Sequence, residues 1–328
     1  PDWPALDATL TAQRAQVAEE FAALLAPRQR VRDGKHNFSA YWHSLPEHAD
    51  AAVLADAGFE AATELHASLC DVVRAPGVRD LSDTARARLD RVLPALLFAA
   101  STSAQPDAVL QRVLPLLHAV LRRTSYLALL DEQPAALQRL VDVLARSALL
   151  GERLAVYPLL LDELLDVRVS GQLPDAQAMQ RECAAALRGN DTEAALDALN
   201  EVRQALSFRM ALALLDARID AQDCARRLAW LADAVVACTL QLAQDDMHAA
   251  HGDIAAGQFA VLGYGSLGGE ELGFGSDLDL VFLFDAPTDA VSNGARPLDA
   301  PRWYARLGQK IVALLGARTS AGSLFDVD

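Results

Sequence analysis

The sequence has few cysteines, only two lysines and no long apolar run. Its four cysteines are scattered, without the paired spacing of zinc sites or redox motifs, so we expect small core residues of a reduced protein. No window reaches the ~18 uninterrupted apolar residues that a membrane-spanning helix needs, and no basic-then-apolar signal opens the chain. These absences predict a cytoplasmic location and no membrane partner.

Positive charge is scarce as well. Lysine and arginine together number 29 against 44 acidic residues, which gives a formal net charge of −15. Phosphate backbones are bound through clusters of Lys and Arg, so the charge argues against a nucleic-acid partner. With 328 residues, 52% of them hydrophobic, the chain is long enough to form two globular domains.

The first two hundred residues carry helix signals and almost no strand signals. Apolar residues recur at three- and four-residue steps, and prolines stand where helices can begin. The pattern predicts helices over 10–25, 51–73, 81–100, 108–123, 135–148, 159–165, 191–215 and 221–243. We expect a helical region over residues 1–190 and a second domain, with its own leading helices, over residues 191–328.

The stretch from residue 259 to residue 285 differs from the rest and reads FAVLGYGSLGGEELGFGSDLDLVFLFD. A short apolar strand is predicted to end in a glycine turn, whose bare backbone can bring N–H groups against phosphate oxygens. A second strand is predicted over 276–284. Side chains alternate along a strand, so Asp277 and Asp279 share one face, about 7 Å apart. Two such carboxylates favour a hard cation such as Mg²⁺.

Three known patterns compete for this stretch. Residues 263–268 match GxGxxG, the dinucleotide fingerprint, but residues 269–276 are too few for the helical crossover of that fold. A Walker A loop requires Gly-Lys-Ser/Thr where this chain has Gly268-Gly269-Glu270. The third pattern is Gly-Ser, ten residues, and Asp-x-Asp at the head of an apolar strand. Gly265-Ser266 and Asp277-Leu278-Asp279 match it at every fixed position and resemble the polymerase-beta-like nucleotidyltransferases.

The resemblance extends to one family. GYGSLGGEELGFGSDLDLVFLFD, together with RWYARLGQKIVALLGARTSAGSLFDVD, is similar to the C-terminal catalytic half of the glutamine synthetase adenylyltransferases, which transfer and remove adenylyl groups. SYLALLDEQPAALQRLVDVLA and YPLLLDELLD resemble the helical region that precedes this half. The resemblance implies an α+β fold, in which a mainly helical N-terminal bundle is followed by a small mixed-sheet polymerase-beta-like nucleotidyltransferase domain.

The resemblance also implies the roles of the site residues. Asp277 and Asp279 would bind two Mg²⁺ ions as catalytic carboxylates. Asp328, on a later strand, would be the third catalytic and metal-binding acid, and Asp326 on the same strand face is the alternative. ATP would be held by the turn and its neighbours, namely Gly263, Gly265, Ser266, Gly268, Gly269 and Ser276.

The implied reaction is the Mg²⁺-dependent transfer of AMP from ATP to a tyrosine of glutamine synthetase, which regulates nitrogen metabolism. The implied partners are glutamine synthetase and the PII signal protein, with glutamine as a candidate effector. Two alternatives stay open. One is phosphorolytic removal of AMP by a closely similar site, and the other is a non-catalytic regulatory helical module with an incomplete nucleotide site.

Two features depart from the family pattern. Ser266 stands where the family usually has lysine, which would remove a basic contact to phosphate. The sequence ends at Asp328, where family members continue into an arginine-rich run and a further helical region. We therefore expect a nucleotidyltransferase domain that is truncated at its C-terminal end and has weak or no turnover.

Two further clusters allow either a functional or a structural interpretation. His248 and His251 lie near Asp245 and Asp246, and could hold a metal ion or simply end a solvated helix; we favour the helix end. Lys310 lies on a predicted helix with several arginines, and this basic side could meet triphosphate or only water.

Overall fold

A computed structural model describes residues 37–121, 123–165, 173–189, 191–287 and 289–327. The predicted helix over 10–25 and the predicted catalytic residue Asp328 lie outside these ranges. In the described part, ten helices precede residue 166: α1 (Phe38–Ser44), α2 (Ala52–Asp56), α3 (Ala62–Arg74), α4 (Pro76–Arg79), α5 (Asp83–Ser101), α6 (Pro106–Val120), α7 (Thr124–Glu132), α8 (Pro134–Arg146), α9 (Ala148–Val156) and α10 (Leu160–Leu165).

The remaining elements lead into a small sheet. Three helices and then two strands with their flanking helices follow in the order α11 (Ala176–Ala186), α12 (Thr192–Leu215), α13 (Ala221–His251), β1 (Gln258–Gly263), α14 (Gly265–Gly268), β2 (Leu280–Asp285) and α15 (Ala300–Gly316). Of the helices described, none combines the length and the apolar character that a bilayer crossing demands.

Capping side chains and prolines explain where many of these helices begin. Asp191, Asp220 and Asp299 each accept a hydrogen bond from the backbone N–H three residues later, at the start of α12, α13 and α15. Pro106 and Pro134 stand at the first position of α6 and α8, as predicted, where a missing N–H costs little.

Two of the predicted helices differ most from the structure in their bounds. The helix predicted over 51–73 is divided into α2 and α3, because Gly58 takes a φ of +95° after the end of α2. The helix predicted over 221–243 continues to His251 as α13, and Gly252, with a φ of +73°, ends it.

Two hydrophobic clusters form the interior of the described chain. The first gathers buried side chains from α1 to α10, and the second gathers those of α11, α13, α15 and the sheet region. Helix α12 belongs to both, since Phe208 and Leu212 lie in the first cluster while Leu199 and Met210 lie in the second. The domain boundary near residue 190 stays a prediction.

The two strands pair antiparallel, with Gly263 opposite Leu280. Helix α15 packs on one side of this ribbon, where the rings of Phe259 and Tyr304 stack with 5.8 Å between their centroids. Gly308 of the same helix lets the ring of Phe282 approach closely, because a Cβ there would lie 3.2 Å from it. The described chain is mostly helical with a small sheet, which agrees with the predicted α+β class.

The second predicted strand, 276–284, is shorter in the structure. β2 begins at Leu280, while Leu278 forms an isolated parallel bridge with Val327. The pairing partner changes at this point, so Leu278 leaves the ribbon and joins the last described segment. The predicted alternation of faces still holds, because Leu278 is fully buried whereas Val281 and Leu283 are exposed.

Candidate active site

The glycine turn and the Asp-x-Asp pair are in direct contact. Gly265 follows β1 with a φ of +53°, in the left-handed region that favours glycine. The N–H of Tyr264 donates to the backbone carbonyl of Asp279 at 2.8 Å. A Cβ at Gly265 would lie 2.0 Å from Oδ2 of Asp279. The backbone angle therefore favours glycine at this position, and any larger residue would displace the Asp279 carboxylate.

The other glycines of the turn are not equivalent. A Cβ at Gly268 would lie 2.5 Å from the carbonyl oxygen of Gly263, and one at Gly263 would lie 2.8 Å from the side chain of Leu267. These two glycines let α14 fold tightly back on the end of β1. Gly269 meets its nearest neighbour at 3.4 Å, an ordinary contact, so packing alone does not require glycine there.

A bridge between two segments positions the first aspartate. The N–H of Leu278 donates to the carbonyl of Asp326 at 2.9 Å, and Leu278 pairs with Val327. Asp277 and Asp326, which flank this parallel pair on the same side, are both exposed. The bridge thus brings the predicted alternative acid beside Asp277. Among the residues that the structure describes, no group of three His, Cys, Asp or Glu side chains could hold a metal ion.

The two serines predicted to contact nucleotide accept hydrogen bonds from backbone N–H groups of the loop. The hydroxyl of Ser276 accepts a hydrogen bond from the N–H of Gly273 at 3.0 Å, which closes the turn before Asp277. The carbonyl of Ser266 accepts from the N–H of Glu271 at 2.8 Å. Both residues therefore help to shape the loop that separates the glycine turn from the aspartates.

The histidines and Lys310 lie at the contact between α13 and α15. His248 contacts Asp253 at 2.7 Å and stacks on Trp303, while Nδ1 of His251 lies 2.7 Å from the carbonyl oxygen of Arg296. The ammonium group of Lys310 forms an ion pair with Asp246 at 2.6 Å. The two histidines have different partners, and the lysine is held by an acid of α13.

Sequence reasoning missed a polar stripe on α12. Asn200, Gln204 and Ser207 are buried, and Arg203 lies half-buried beside them. They recur at three- and four-residue steps and so share one face of the helix. Side chains of this stripe contact α9 and the segment before Val327. Polar residues at helical spacing on an otherwise apolar helix were the signal that could have revealed it.

The fold and the site define a mostly helical α+β protein in which a glycine turn lies against the aspartate that directly precedes β2. The chain belongs to the glutamate-ammonia ligase adenylyltransferase family, whose model matches residues 137–328. The family predicted from the sequence is confirmed.

Several relatives share the name bifunctional glutamine synthetase adenylyltransferase/adenylyl-removing enzyme. The chain is 64% identical over 331 residues to that of Stenotrophomonas maltophilia strain R551-3, covering 100% of the chain and 35% of the relative. It is 61% identical over 327 residues to that of Xanthomonas axonopodis pv. citri, covering 99% and 34%. For Pseudomonas putida the identity is 36% over 346 residues, covering 100% and 35%. The chain thus spans about a third of the length of these relatives.

Proposed function

We propose that the protein transfers AMP from ATP to a tyrosine hydroxyl of glutamine synthetase. The observation that carries this proposal is the contact between the Gly265 backbone and the Asp279 carboxylate, two residues from Asp277. It joins a turn that can accept phosphate oxygens to a pair of carboxylates that can hold cations. The names of the relatives support the acceptor and the transferred group.

The nucleotide and its metal ions would be held by different parts of the site. The backbone of the turn at Gly263, Gly265, Ser266, Gly268 and Gly269, with Ser276 across the loop, would bind the β and γ phosphates. Asp277 and Asp279 would hold two Mg²⁺ ions, and Asp328 would complete the site of one of them. Oxygen-only ligands suit Mg²⁺, and the exposure of Asp277 leaves room for the waters that this ion retains.

The tyrosine oxygen attacks the α-phosphorus of ATP, the bond from that phosphorus to the β-phosphate oxygen breaks, and pyrophosphate leaves. The phenolic proton passes to solvent water as the tyrosine–AMP bond forms. Bound Mg²⁺ would neutralise the negative charge that develops on the attacking and leaving oxygens. The chain's own contribution is positioning, because the turn orients the triphosphate while the two aspartates fix the place of the cations.

The proposed fold of this part of the chain is based on the pairing of its strands. The β1–β2 ribbon is antiparallel, whereas the Leu278–Val327 bridge is parallel. Together they support the mixed sheet of a polymerase-beta-like nucleotidyltransferase domain within residues 191–328, preceded by a helical region. Binding of the PII signal protein or of glutamine to that helical region is part of the same proposal, and calorimetric titration with each ligand tests it.

The intact mass of glutamine synthetase subunits tests the reaction. After prolonged incubation with an excess of the protein, so that weak turnover is sufficient, and with ATP and Mg²⁺, we expect a gain of one AMP per subunit. Asp277→Asn should abolish the gain. Asp285→Asn, which changes an exposed aspartate at the far end of β2, should leave it intact. Equal activity of the two variants would contradict the assignment of Asp277. Loss of AMP from adenylylated subunits with phosphate, without any gain in the forward assay, would favour the removing reaction.

A further inference from the structure

Two arginines behind the candidate site have no acidic partner within the described residues. Arg153 lies on α9 and Arg203 on α12, and both are half-buried. By contrast, the guanidinium of Arg139 forms two hydrogen bonds with the carboxylate of Asp216, and Arg91 and Arg209 each do the same with a carboxylate of their own. Arg153 and Arg203 instead donate to amide, hydroxyl and backbone carbonyl oxygens.

Arg153 holds the loop that leads to Asp277. Its guanidinium donates to the carbonyl of Phe274 at 3.0 Å and lies over the ring of the same residue, 5.8 Å from the centroid. A second donor reaches the hydroxyl of Ser207 on α12 at 3.0 Å. Phe274 packs against both hydrophobic clusters. Arg153 therefore fixes Phe274, three residues before Asp277, to the helical part of the chain.

Arg203 holds the segment that carries Asp326. It donates to the carbonyl of Ser323 at 3.1 Å and lies over the ring of Phe325, 5.1 Å from the centroid. Its neighbour on the polar stripe, Asn200, donates to the carbonyl of Ala321 at 2.5 Å. Side chains on one face of α12 thus bind residues 321–325, in the last described segment.

The two guanidinium groups are close enough to affect each other. Burial, and after it the positive charge of Arg153, lower the pKa of Arg203 to about 10. Burial also lowers the pKa of Arg153. Arginine keeps its proton at neutral pH, so two like charges lie in this region without a carboxylate partner among the described residues. Their hydrogen bonds and ring contacts with the two loops offset that cost.

A backbone hydrogen bond joins the two loops. The N–H of Leu278, next to Asp277, donates to the carbonyl of Asp326. Arg153 is anchored on one side of this bond through Phe274, and Arg203 on the other side through Ser323 and Phe325. Helix α12 carries Arg203 and contacts Arg153 through Ser207. A shift of Arg153 relative to α12 would therefore move the acids relative to each other.

We propose that Arg153 and Arg203 are positioning residues that hold the segments 273–280 and 321–327 in register, so that the acids of the candidate site face the same cations. The part of this inference that concerns the cations rests on the proposed function. The part that concerns the two segments depends only on the contacts described above.

The test uses Arg153→Met and Arg203→Met, with Arg153→Lys and Arg203→Lys as variants that keep the charge but lose the planar fork. Arg139→Met is the matched control, because it removes an arginine ion pair elsewhere in the chain. Amide hydrogen exchange of Leu278 is the first measurement. We expect about tenfold faster exchange in each Met variant, as the loss of charge-assisted hydrogen bonds predicts, and a smaller rise in the Lys variants.

The second measurement is the Mg²⁺ concentration that half-saturates ATP binding. We expect about a tenfold increase in both Met variants, the usual effect of removing a residue that orients metal ligands, without a change in maximal binding. Arg139→Met should alter neither measurement.

The results of these measurements test the positioning of the two segments separately from its effect on the cations. Unchanged Leu278 exchange in both Met variants, or an equal rise in Arg139→Met, overturns the inference. If exchange rises but the unmodified protein shows no Asp277-dependent ATP binding, the proposed function fails while the positioning of the segments stands. If binding depends on Asp277 and the Mg²⁺ midpoint is the same in every arginine variant, the link from the arginines to the cations is wrong.

Discussion

Replacement of Gly265 by alanine tests the contact on which the candidate site depends. The new Cβ would lie 2.0 Å from Oδ2 of Asp279, whereas ordinary contact begins near 3.4 Å, so the oxygen has to move by about 1.4 Å. A misplacement of about 1 Å at a reacting centre can cost roughly 10²-fold in rate. We therefore expect Gly265→Ala to lower AMP transfer, measured by the mass of the acceptor, at least a hundredfold relative to the unmodified protein.

The matched control is Gly189→Ala. Gly189 has a φ of +71°, and a Cβ there would meet nothing within 4 Å. Both variants place alanine in the left-handed region, which costs roughly 1–2 kcal/mol, so thermal unfolding should show a similar backbone penalty in each. Only Gly265→Ala should lose activity. Equal activity in the two variants would refute the reasoning, because the Asp279 carboxylate would then tolerate the displacement.

Two further predictions concern ionisation. Hydrogen bonds and charge from Arg139 hold the pKa of Asp216 below its usual 3.8, so its contribution to stability is present above pH 3.8 and is lost as the pH falls through the lower folded-state pKa. In urea unfolding, Asp216→Asn should be less stable than the unmodified protein at neutral pH, with a difference that shrinks below pH 3.8; a pH-independent difference would contradict this. All four cysteines are buried and free, and burial raises the pKa of the Cys183 thiol to about 12. A maleimide reagent should therefore label none of them rapidly in the native protein and all of them in denaturant, as mass spectrometry would show.

Local patterns in the sequence predicted the parts of the site that are built locally. The glycine spacing, the alternation of Asp277 with Leu278, and the helix starts at proline each depend on a few neighbouring residues. The structure brings the predicted Gly265 and Asp279 into contact, and it keeps Leu278 buried. The roles of these residues in binding nucleotide and metal stay predictions.

Contacts between distant segments could not be predicted in this way. Arg153 and Phe274 are 121 positions apart, and no spacing rule connects an arginine of an ordinary amphipathic helix to a loop so far along the chain. The early start of the predicted second strand has a similar cause. A local pattern cannot show that Leu278 pairs with Val327 and that only the residues from Leu280 onward pair with β1.

Helix α12 contributes side chains to both hydrophobic clusters, and this ties their unfolding together. Phe208 and Met210, only two residues apart, face different clusters, and both are fully buried. Loss of either cluster would expose one side of the helix and weaken its packing against the other. A chain division placed before α12 would deprive the first cluster of Phe208, and one placed after it would deprive the second of Met210. Both clusters therefore depend on the same helix, and we expect them to unfold as one cooperative unit.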